Sequence, residues 1–358
     1  MPLSFDRRDG DIQGYSPKQL RAAYSVSGVA SGLPIIGIVD AYGYYPNGFT
    51  SARQDLNAYS KQFNLPILPK CKGAIVQSAV PCFQAVNQKG GHKLPTTIDQ
   101  GWAAEQAIDV QVAHALCENC SILLVEANTN GIADLFSAEN TGAKLGANVM
   151  SNSWGSSEFS GESSADAQFF THPGVVMTAG TGDDGYAGGV FYPASSPNVV
   201  AVGGTSLFLK NGKKYLSEAA WSGAGSGCSE FESRPTWQPS LPGCPANRTV
   251  GDIAMDADPN TGVAICTGCT TCCWQMFGGT SIGTPIVAGM FAIAGRIPQD
   301  TTEPSGILYE NVSKTNSRDI VGGSTGDCDF AYLCNAVPGY DGPTGLGSPK
   351  GLDIFIAP

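Results

Sequence analysis

The stretch GGTSIGTP at residues 278–285 sets a serine, Ser281, among small residues and four positions before a proline. A serine hydroxyl is a poor nucleophile until a neighbouring base removes its proton. If Ser281 is a nucleophile, the chain must therefore supply that base. Histidine and paired carboxylates are the two kinds of base that the sequence offers.

Histidine is scarce, because the 358 residues contain only His92, His114 and His172. His92 and His172 lie in loops, away from the end of any predicted strand. His114 follows Asp109 by five residues on a predicted helix, which places the two side chains about 140° apart around the helix axis. We interpret all three as surface or structural histidines, so a Ser-His-Asp triad is poorly supported.

A pair of carboxylates is the alternative base. Residues 101–116 combine apolar residues at helical spacing with a high alanine content, which predicts a helix. Glu105 and Asp109 are four residues apart on it and share one face. An exposed acidic face is the simpler interpretation, but Trp102 and Ile108 leave the pair few polar neighbours. In a partly buried cleft, the two acids would share a proton and titrate together.

Several short apolar segments predict buried strands, because they are rich in β-branched residues and end in polar or glycine-rich turns. They are residues 34–40, 121–127, 147–154, 175–182 and 199–205. Strands that alternate with helical segments are typical of a parallel α/β sheet. Functional sites of such sheets collect at the carboxyl ends of the strands.

Composition limits the partners of the protein. The formal net charge is -11 and only 14% of the residues are charged, which argues against binding to nucleic acid. Few ion pairs leave little stability to be lost when carboxylates are protonated, so work in acid is compatible with this composition. The apolar run Ile286 to Ile293 is far shorter than the ~20 residues of a membrane span. We therefore expect a soluble protein.

The cysteines predict disulfides formed in an oxidising compartment, because their number, 12, is even and large. A zinc site is the alternative for the run Cys266, Cys269, Cys272 and Cys273, since four thiolates can bind this metal. The pairs that are close in sequence are Cys71 with Cys82, Cys117 with Cys120, Cys228 with Cys244, and Cys328 with Cys334. These pairs favour disulfides over zinc.

Three motifs together carry a family resemblance. They are Glu105-x-x-x-Asp109 on the helix, Gly182-Asp183 in AGTGDDG after a strand, and Gly279-Thr280-Ser281-x-x-x-Pro285. In this order they resemble the signatures of the sedolisin family, the serine-carboxyl peptidases. SNSWG, YPASSPNVVAVGGTS, DADPNTGV and PTGLGSP resemble the family too, and the match runs from about Tyr15 to the C-terminus. Subtilisins share GTSxxxP but carry a His-Gly-Thr motif that is absent from this sequence.

The resemblance implies a subtilisin-like α/β fold with a central, mostly parallel sheet flanked by helices on both faces. It implies that Ser281 attacks the peptide carbonyl, that Glu105 is the general base, and that Asp109 hydrogen-bonds and orients Glu105. Asp183 would occupy the oxyanion hole and must be protonated to donate a hydrogen bond there. Carboxyl pKa values near ~4 then place activity in acid.

The resemblance also assigns supporting residues around this site. Asp40 and Trp154 match positions that extend the hydrogen-bond chain from the carboxyl pair. Asp184 stands where the family more usually has serine. A second acid next to Asp183 would raise the pKa of Asp183 if the two side chains are close.

Five residues are expected to contact an extended substrate, because proteases of this fold bind peptides by strand addition. They are Ser153, Trp154, Gly155, Gly279 and Thr280. An ordinary buried strand end is the alternative interpretation of the first three. The family resemblance implies a hydrophobic or aromatic residue on the acyl side of the cleaved bond.

The C-terminal region, about residues 315–350, resembles the calcium site of the family. One structural Ca²⁺ ion would be held by oxygen atoms only, a set that suits this ion. Without the resemblance, the acids of this region would be interpreted as turn residues. The implied ligands are the carboxylates of Asp319 and Asp341 and the backbone carbonyls of Ile320, Val337 and Gly339.

We therefore predict a single peptidase catalytic domain, residues 1–358, that acts as a secreted, calcium-stabilised endopeptidase in acid on peptides or unfolded proteins. A tripeptidyl-peptidase of the same family, a catalytically silent peptide-binding module and a zinc protein are the alternatives. The opening MPLSFDRRDG has no apolar signal segment, and no segment resembles the prodomain of the family, which we expect to be removed, separate or absent. We expect a monomer in the extracellular space or another acidic, oxidising compartment, without nucleic-acid or membrane partners.

Overall fold

The computed structural model describes residues 4–5, 12–44, 50–268, 273–295 and 297–357. The strands of these residues are β1 (Ser4–Phe5), β2 (Ile35–Ala41), β3 (Phe83–Asn87), β4 (Ser121–Ala127), β5 (Val149–Asn152), β6 (Ser156–Ser157), β7 (Val176–Gly180), β8 (Phe191–Tyr192), β9 (Val200–Lys210), β10 (Lys214–Ala220), β11 (Gly227–Ser233), β12 (Asn247–Val250), β13 (Ile253–Asp256), β14 (Val263–Thr267), β15 (Cys273–Phe277), β16 (Ser317–Arg318) and β17 (Ser348–Pro349). The helices are α1 (Pro17–Ala23), α2 (Ala52–Phe63), α3 (Gln100–Leu116), α4 (Ile132–Lys144), α5 (Glu162–Ala165), α6 (Thr280–Ala294), α7 (Ser305–Asn311) and α8 (Ala331–Cys334).

An eight-stranded sheet forms the centre of the fold. Its order is β10-β9-β7-β5-β2-β4-β3, and β13 pairs with β9 as well. The neighbouring strands run parallel except for β10, which pairs antiparallel with β9. Every residue of β2 and of β4 is buried, which explains why their sequences are nearly continuous apolar runs. The predicted, mostly parallel sheet is confirmed.

Helices cover both faces of this sheet. Alternate side chains of a strand point to opposite faces. On β2, Ile36 and Ile38 join the core cluster that includes α3 and α6, whereas Ile35 and Val39 join the cluster that includes α4. The subtilisin-like arrangement predicted from the sequence is therefore the one observed.

Most of the predicted elements match within a few residues. The predicted strand 121–127 is β4 in full, and the predicted helix 101–116 is α3 with one more residue at its start. The predicted strand 147–154 ends at Asn152, because the chain leaves the sheet there. The predicted strand 199–205 continues to Lys210, because β9 turns into a hairpin with β10. Local sequence places the strands, whereas tertiary pairing decides their length.

Disulfides occur where the sequence predicts them. Those between neighbouring cysteines are Cys71–Cys82, Cys117–Cys120, Cys228–Cys244 and Cys328–Cys334. Cys266 and Cys273 are also disulfide-bonded, so they are not thiolate ligands for zinc. Cys269 and Cys272 lie outside the described residues. Within the described ranges, the structure has no helix that is long and apolar enough to cross a membrane.

Candidate active site

A cleft with a volume of about 350 Å³ lies where β5 and β7 end and α6 begins. It brings together residues that are more than 170 positions apart in the chain. The predicted residues that line it are Glu105, Ser153, Trp154, Gly155, Asp183, Thr280 and Ser281, together with Asp184. Trp102, Asn130 and Phe191 also line it, and no motif of the sequence predicts them as contacts. Asp40 and Asp109 lie fully buried nearby.

Ser281 is the second residue of α6 and is only 6% exposed. The proline of its motif has a local structural role. Pro285 has no N–H group, so the carbonyl of Ser281 loses the partner that it would have four residues later in a regular helix. The hydroxyl of Ser153 lies 3.5 Å from this carbonyl oxygen. The GTSxxxP spacing therefore leaves a backbone acceptor at the mouth of the cleft.

Helix α3 carries Glu105 and Asp109 and is almost entirely buried, as expected for a helix that is apolar on most sides. The side chain of Asp99 caps its first turn by accepting a hydrogen bond from the N–H of Trp102 at 3.0 Å. The amide of Gln106 donates to the backbone carbonyl of Ala41 on β2 at 3.1 Å. These contacts fix the rotation of α3 and direct its two carboxyls towards α6.

The two carboxyls of α3 are close to neighbouring acids and far from water. Burial raises the pKa of Glu105 to about 8; the nearby Ser281 hydroxyl lowers this pKa and Asp183 raises it. Burial also raises the pKa of Asp109, and the negative charges of Asp40 and Glu105 raise it further. Such a group of acids holds protons well above the pH at which isolated carboxyls lose them.

One hydrogen bond of this pair comes from outside α3. Asp109 Oδ1 accepts a hydrogen bond from the Ser153 hydroxyl at 2.8 Å. Asp109 Oδ2 and Glu105 Oε1 have no hydrogen-bond partner among the residues that the structure describes. Ser153 therefore anchors Asp109, and Oδ2 of Asp109 and Oε1 of Glu105 have no other donor in the described residues; that Asp109 orients Glu105 through a shared proton stays a prediction.

Asp183 lies beside the start of α6. Its Oδ1 accepts hydrogen bonds from the N–H of Thr280 at 2.8 Å and from the Thr280 hydroxyl at 3.0 Å. Burial raises the pKa of Asp183, these hydrogen bonds lower it, and Asp184 raises it slightly. A Cβ atom on Gly279 would lie only 2.7 Å from Asp183 Oδ2, so this glycine makes room for the carboxyl. Because Oδ1 is occupied by two donors, Oδ2 is the oxygen that can carry a proton.

Asp40 and Trp154 are not joined in one chain of hydrogen bonds in the described structure. Asp40 is fully buried. Burial is the main cause that raises its pKa, and the negative charges of Glu105 and Glu126 raise it further. Trp154 packs against Phe136 on the opposite side of the sheet, with ring centroids 6.4 Å apart. Its Nε1 has no hydrogen-bond partner in the described part of the structure. Asp40 thus interacts electrostatically with the two carboxyls of α3, whereas Trp154 lines the cleft.

The substrate-binding prediction is narrowed by the sheet order. Strand β5 lies between β2 and β7, so its backbone is already paired on both sides. Only Ser153, Trp154 and Gly155, which follow its last residue, are free of that pairing and line the cleft. They are the part of this segment that an extended peptide can reach.

The histidines lie away from this chemistry. His114 is fully buried on α3, and its Nε2 lies 2.8 Å from the carbonyl oxygen of Pro66. Burial lowers the pKa of His114 to about 4. His172 Nε2 lies 3.1 Å from the carbonyl oxygen of Phe169. His92 is exposed. All three are therefore surface or structural, as the sequence indicates.

The predicted calcium ligands are brought together in the C-terminal region. Asp341 is fully buried, and its Oδ2 accepts a hydrogen bond from the N–H of Val337 at 2.9 Å. Asp319 accepts one from the N–H of Gly339, at 3.0 Å for its closer oxygen. Ile320, next to Asp319, is buried. In the described ranges no three or more His, Cys, Asp or Glu side chains are grouped to hold a metal, and the implied site uses only two.

Comparison with known proteins agrees with this geometry. The subtilase family model matches residues 97–306. Sedolisin of Pseudomonas sp. (strain 101) is 36% identical over 184 residues, which are 48% of this chain and 30% of that protein. Kumamolisin of Bacillus sp. (strain MN-32) is 31% identical over 311 residues, which are 78% of this chain and 55% of that protein. The chain thus spans about half or less of the length of these relatives.

A solved structure extends the likeness to nearly the whole chain. Pseudomonas sedolisin, a serine-carboxyl proteinase in complex with two molecules of pseudo-iodotyrostatin, has a TM-score of 0.77 and 26% sequence identity to this chain. The match covers 95% of this chain and 96% of that one. The chain belongs to the subtilase family and, within it, to the sedolisin family of serine-type peptidases.

Proposed function

We propose that the protein is an acid-acting serine-carboxyl endopeptidase whose nucleophile is Ser281. One observation carries this proposal: the Ser281 hydroxyl lies in a single cleft with the carboxyls of Glu105 and Asp183. No histidine lines that cleft in the described part of the chain. A carboxylate is then the base that is close enough to take the serine proton.

In the proposed reaction, Glu105 accepts the proton of Ser281 as the hydroxyl oxygen attacks the peptide carbonyl carbon. The negative charge that develops on the carbonyl oxygen is stabilised by a hydrogen bond from protonated Asp183 Oδ2. Glu105 then gives its proton to the leaving amine, and an acyl-enzyme on Ser281 remains. Water attacks this ester with Glu105 again as the base; the bond to Ser281 breaks, Glu105 returns the proton to the Ser281 oxygen, and the carboxylic acid product leaves.

The reaction requires Glu105 to be ionised while Asp183 is protonated. Both pKa values are raised by burial, that of Glu105 to about 8. The reactive arrangement therefore holds one proton between the two groups, and its population peaks between the two apparent pKa values of the set. A bell-shaped pH profile follows, with loss of activity when the last proton leaves. The carboxyl donor in the oxyanion hole thus sets an upper pH limit for activity.

The first test compares wild type with Ser281→Ala and Glu105→Gln in the hydrolysis of a denatured protein across about pH 2 to 8. Each change is expected to lower kcat/KM roughly 10⁴-fold or more, because the groups act as one unit. Glu310→Gln, at an exposed position, is the matched control and should retain full activity. Activity that survives Glu105→Gln would show that another base serves Ser281.

Endopeptidase action rather than tripeptidyl release is the second part of the proposal. The test compares one peptide with a free and with an acetylated amino terminus. An endopeptidase cleaves both at the same internal bonds at similar rates. Cleavage that needs the free amine and yields tripeptides would show the exo-acting alternative instead.

We further propose that one Ca²⁺ ion is bound by Asp319 and Asp341 with the backbone carbonyls of Ile320, Val337 and Gly339. The donors present fit this ion. The two carboxyls are close enough for Asp319 to raise the pKa of Asp341, and the rest of the set is backbone oxygen. When bound, the ion would neutralise these two charges and stabilise the loop between residues 337 and 341.

Removal of calcium tests this site. A chelator is expected to lower the Tm by several degrees, and added Ca²⁺ to restore it, because an ion that binds only the folded state stabilises it. Asp319→Asn should remove most of this response, whereas Asp353→Asn, at an exposed position of the same region, should keep it. An unchanged Tm in chelator would exclude a stabilising ion.

We propose, finally, that residues 1–358 act as one catalytic domain, as a monomer, outside the cell or in another acidic and oxidising compartment. The disulfides support an oxidising environment. Size-exclusion chromatography and thiol titration of the native protein under denaturing conditions check the oligomeric state and the disulfides.

A further inference from the structure

Two neighbouring strands of the central sheet each carry an acid near their carboxyl end. Asp40 of β2 is paired directly with Glu126 of β4 in parallel register. Paired residues of adjacent strands point to the same face, and Ile38 and Leu124, two positions earlier on each strand, both lie in the cluster with α3 and α6. Asp40 and Glu126 therefore face α3, which carries Glu105 and Asp109.

Both acids are removed from water and lack neutralising partners. Asp40 is 0% exposed and Glu126 is 1% exposed. Both oxygens of Asp40 and Oε2 of Glu126 have no hydrogen-bond partner among the described residues. The charged groups that face Asp40 are Glu105 and Asp109 of α3 on one side and Glu126 on the other. Buried carboxyls without a cation avoid a large desolvation cost only by holding protons.

The other neighbour of Glu126 is not ionisable. Asn87 of β3 is paired with Glu126 on the far side from Asp40. Its amide donates to the carbonyl of Lys93 at 2.8 Å, and its Oδ1 accepts from the N–H of Lys89 at 2.9 Å. Asn87 is thus engaged with its own turn. Among the residues that the structure describes, Glu126 is therefore the last carboxyl of the series that begins beside Ser281 with Glu105.

We propose that Glu126 is a positioning residue for the reaction, because it extends Glu105, Asp109 and Asp40 into a buried row of four carboxyl groups that share protons. The row is defined by these four residues. The inference rests on the proposed function of Glu105 as the base. Protons held between neighbouring carboxyls donate hydrogen bonds that fix the side chains, and the number of protons in the row sets how readily Glu105 ionises.

The effect of Glu126 on the row has a definite sign. An ionised Glu126 repels a negative charge on Asp40, and Asp40 in turn repels charge on Asp109 and Glu105. Glutamine keeps the size of Glu126 but has no charge, and its amide can donate to Asp40. Both changes favour the ionised form of the remaining carboxyls, so they should lose their protons at lower pH.

The experiment measures kcat and KM against pH for wild type, Glu126→Gln and Glu139→Gln. Glu139 is a matched control, because it is also fully buried and burial raises its pKa, but it lies on α4 against the opposite face of the sheet. We expect Glu126→Gln to shift the acidic limb of the kcat profile, at which Glu105 ionises, to lower pH by about 0.5 to 1 unit. KM should change little, and the profile of Glu139→Gln should match wild type.

Two outcomes overturn the proposal. In the first, Glu126→Gln has the same pH profile as wild type. In the second, Glu139→Gln shifts the profile as much, which would indicate a general response to loss of any buried carboxyl. A restored profile in Glu126→Asp supports the proposal, because aspartate brings back the carboxyl.

An infrared titration of protonated carboxyl groups separates this proposal from the proposed function. It needs no activity, so the row can be tested even if the wild type proves not to depend on Ser281. Glu126→Gln should remove one protonated carboxyl signal and move the titration of the others to lower pH. If this variant does not fold, Asp40→Asn probes the row from its middle and should lower the pH at which Glu126 titrates. If the remaining carboxyls of the variant titrate at the same pH as in wild type, the proposal that the four groups share protons is overturned.

Discussion

Asp183 and Glu105 need opposite protonation states, and this opposition governs the chemistry at the scale of single residues. A serine-histidine enzyme avoids it, because its oxyanion donors are amides that never lose their protons. Here the donor is a carboxyl whose Oδ1 is already occupied by the N–H and hydroxyl of Thr280. The remaining oxygen, Oδ2, can donate only while it is protonated. Loss of that proton should therefore end activity as the pH rises.

Asp183→Asn tests this argument. The amide oxygen of asparagine can accept both hydrogen bonds from Thr280, and its NH₂ group then stands in place of protonated Oδ2. Because this donor does not titrate, the variant is expected to keep part of its activity and to extend it towards neutral pH. The measurement is kcat/KM from about pH 3 to pH 8.

The control for this prediction is Asp184→Asn, which removes the neighbouring acid and leaves Asp183 in place. Asp184 raises the pKa of Asp183 only slightly, so this variant should lose activity at nearly the same pH as wild type, shifted a little to lower pH. If kcat/KM of Asp183→Asn falls at the same pH as that of wild type, a group other than Asp183 sets the upper pH limit of activity.

At the scale of elements, the site depends on how the chain enters α6. Gly279 has φ +107°, a conformation that residues with a side chain rarely adopt, and it brings the chain round to present Thr280 to Asp183. Pro285, the sixth residue of the helix, then removes a hydrogen bond between the first and second turns and leaves the Ser281 carbonyl without its helical partner. The glycine and the proline of the motif thus shape the start of α6, and this start places Ser281 in the cleft.

Gly279→Ala is expected to lower kcat by ~10²–10³-fold, the usual effect of losing an oxyanion donor. Its Cβ would lie 2.7 Å from Asp183 Oδ2 and would have to displace that carboxyl. Gly322→Ala is the control, since the space around a Cβ atom there is open to 4 Å. Steady-state kinetics and circular dichroism of both variants distinguish a displaced Asp183 from a general folding defect.

At the scale of the whole molecule, buried acids rather than ion pairs should determine how stability depends on pH. The ion pair of the described residues is Arg248–Asp252, with 2.7 Å between Arg248 Nη2 and Asp252 Oδ2, and both side chains are fully buried. Burial raises the pKa of Glu105, Glu126 and Glu162 to about 8. The folded protein therefore holds protons at neutral pH that the unfolded chain, with glutamate values near 4.5, has released.

Stability should consequently be highest in acid. A carboxyl whose pKa is higher in the folded than in the unfolded state makes its full contribution to the free energy of unfolding below about pH 4.5. This contribution is lost as the pH rises through the folded-state pKa near 8. We expect the Tm to fall by several degrees or more between about pH 4 and pH 8. Thermal unfolding of Ser281→Ala, which excludes self-digestion, measures this directly.

Glu162→Gln provides the control for the pH dependence of stability. It removes one of the buried groups, so its Tm should fall less steeply with pH than that of the parent Ser281→Ala protein. Replacement of the exposed Glu310 by glutamine should leave the slope unchanged. A Tm that rises from pH 4 to pH 8 would show that the buried acids ionise in the folded state at little cost.

The sequence by itself determined the main elements and the acid pair of α3. Apolar runs placed the strands of the sheet, and the spacing of four residues placed Glu105 and Asp109 on one helix face. Short cysteine separations indicated the disulfides. These features are local, because they depend on the period of a helix or strand and on neighbours within a few residues. The motif GTSxxxP is local too, since its glycine and proline act on the first turn of α6.

Only the tertiary structure decided which of these residues meet. The pairing of Asp40 with Glu126, 86 positions apart in the chain, depends on the register of β2 and β4. The sequence shows only that one predicted strand ends in an acid and that the other has an acid as its next-to-last residue. The side of the sheet that receives Trp154 and the anchoring of Asp109 by Ser153 depend in the same way on packing between distant elements. A linear pattern fixes the face on which a side chain lies, but strand order, register and helix docking fix the neighbour that it finds there.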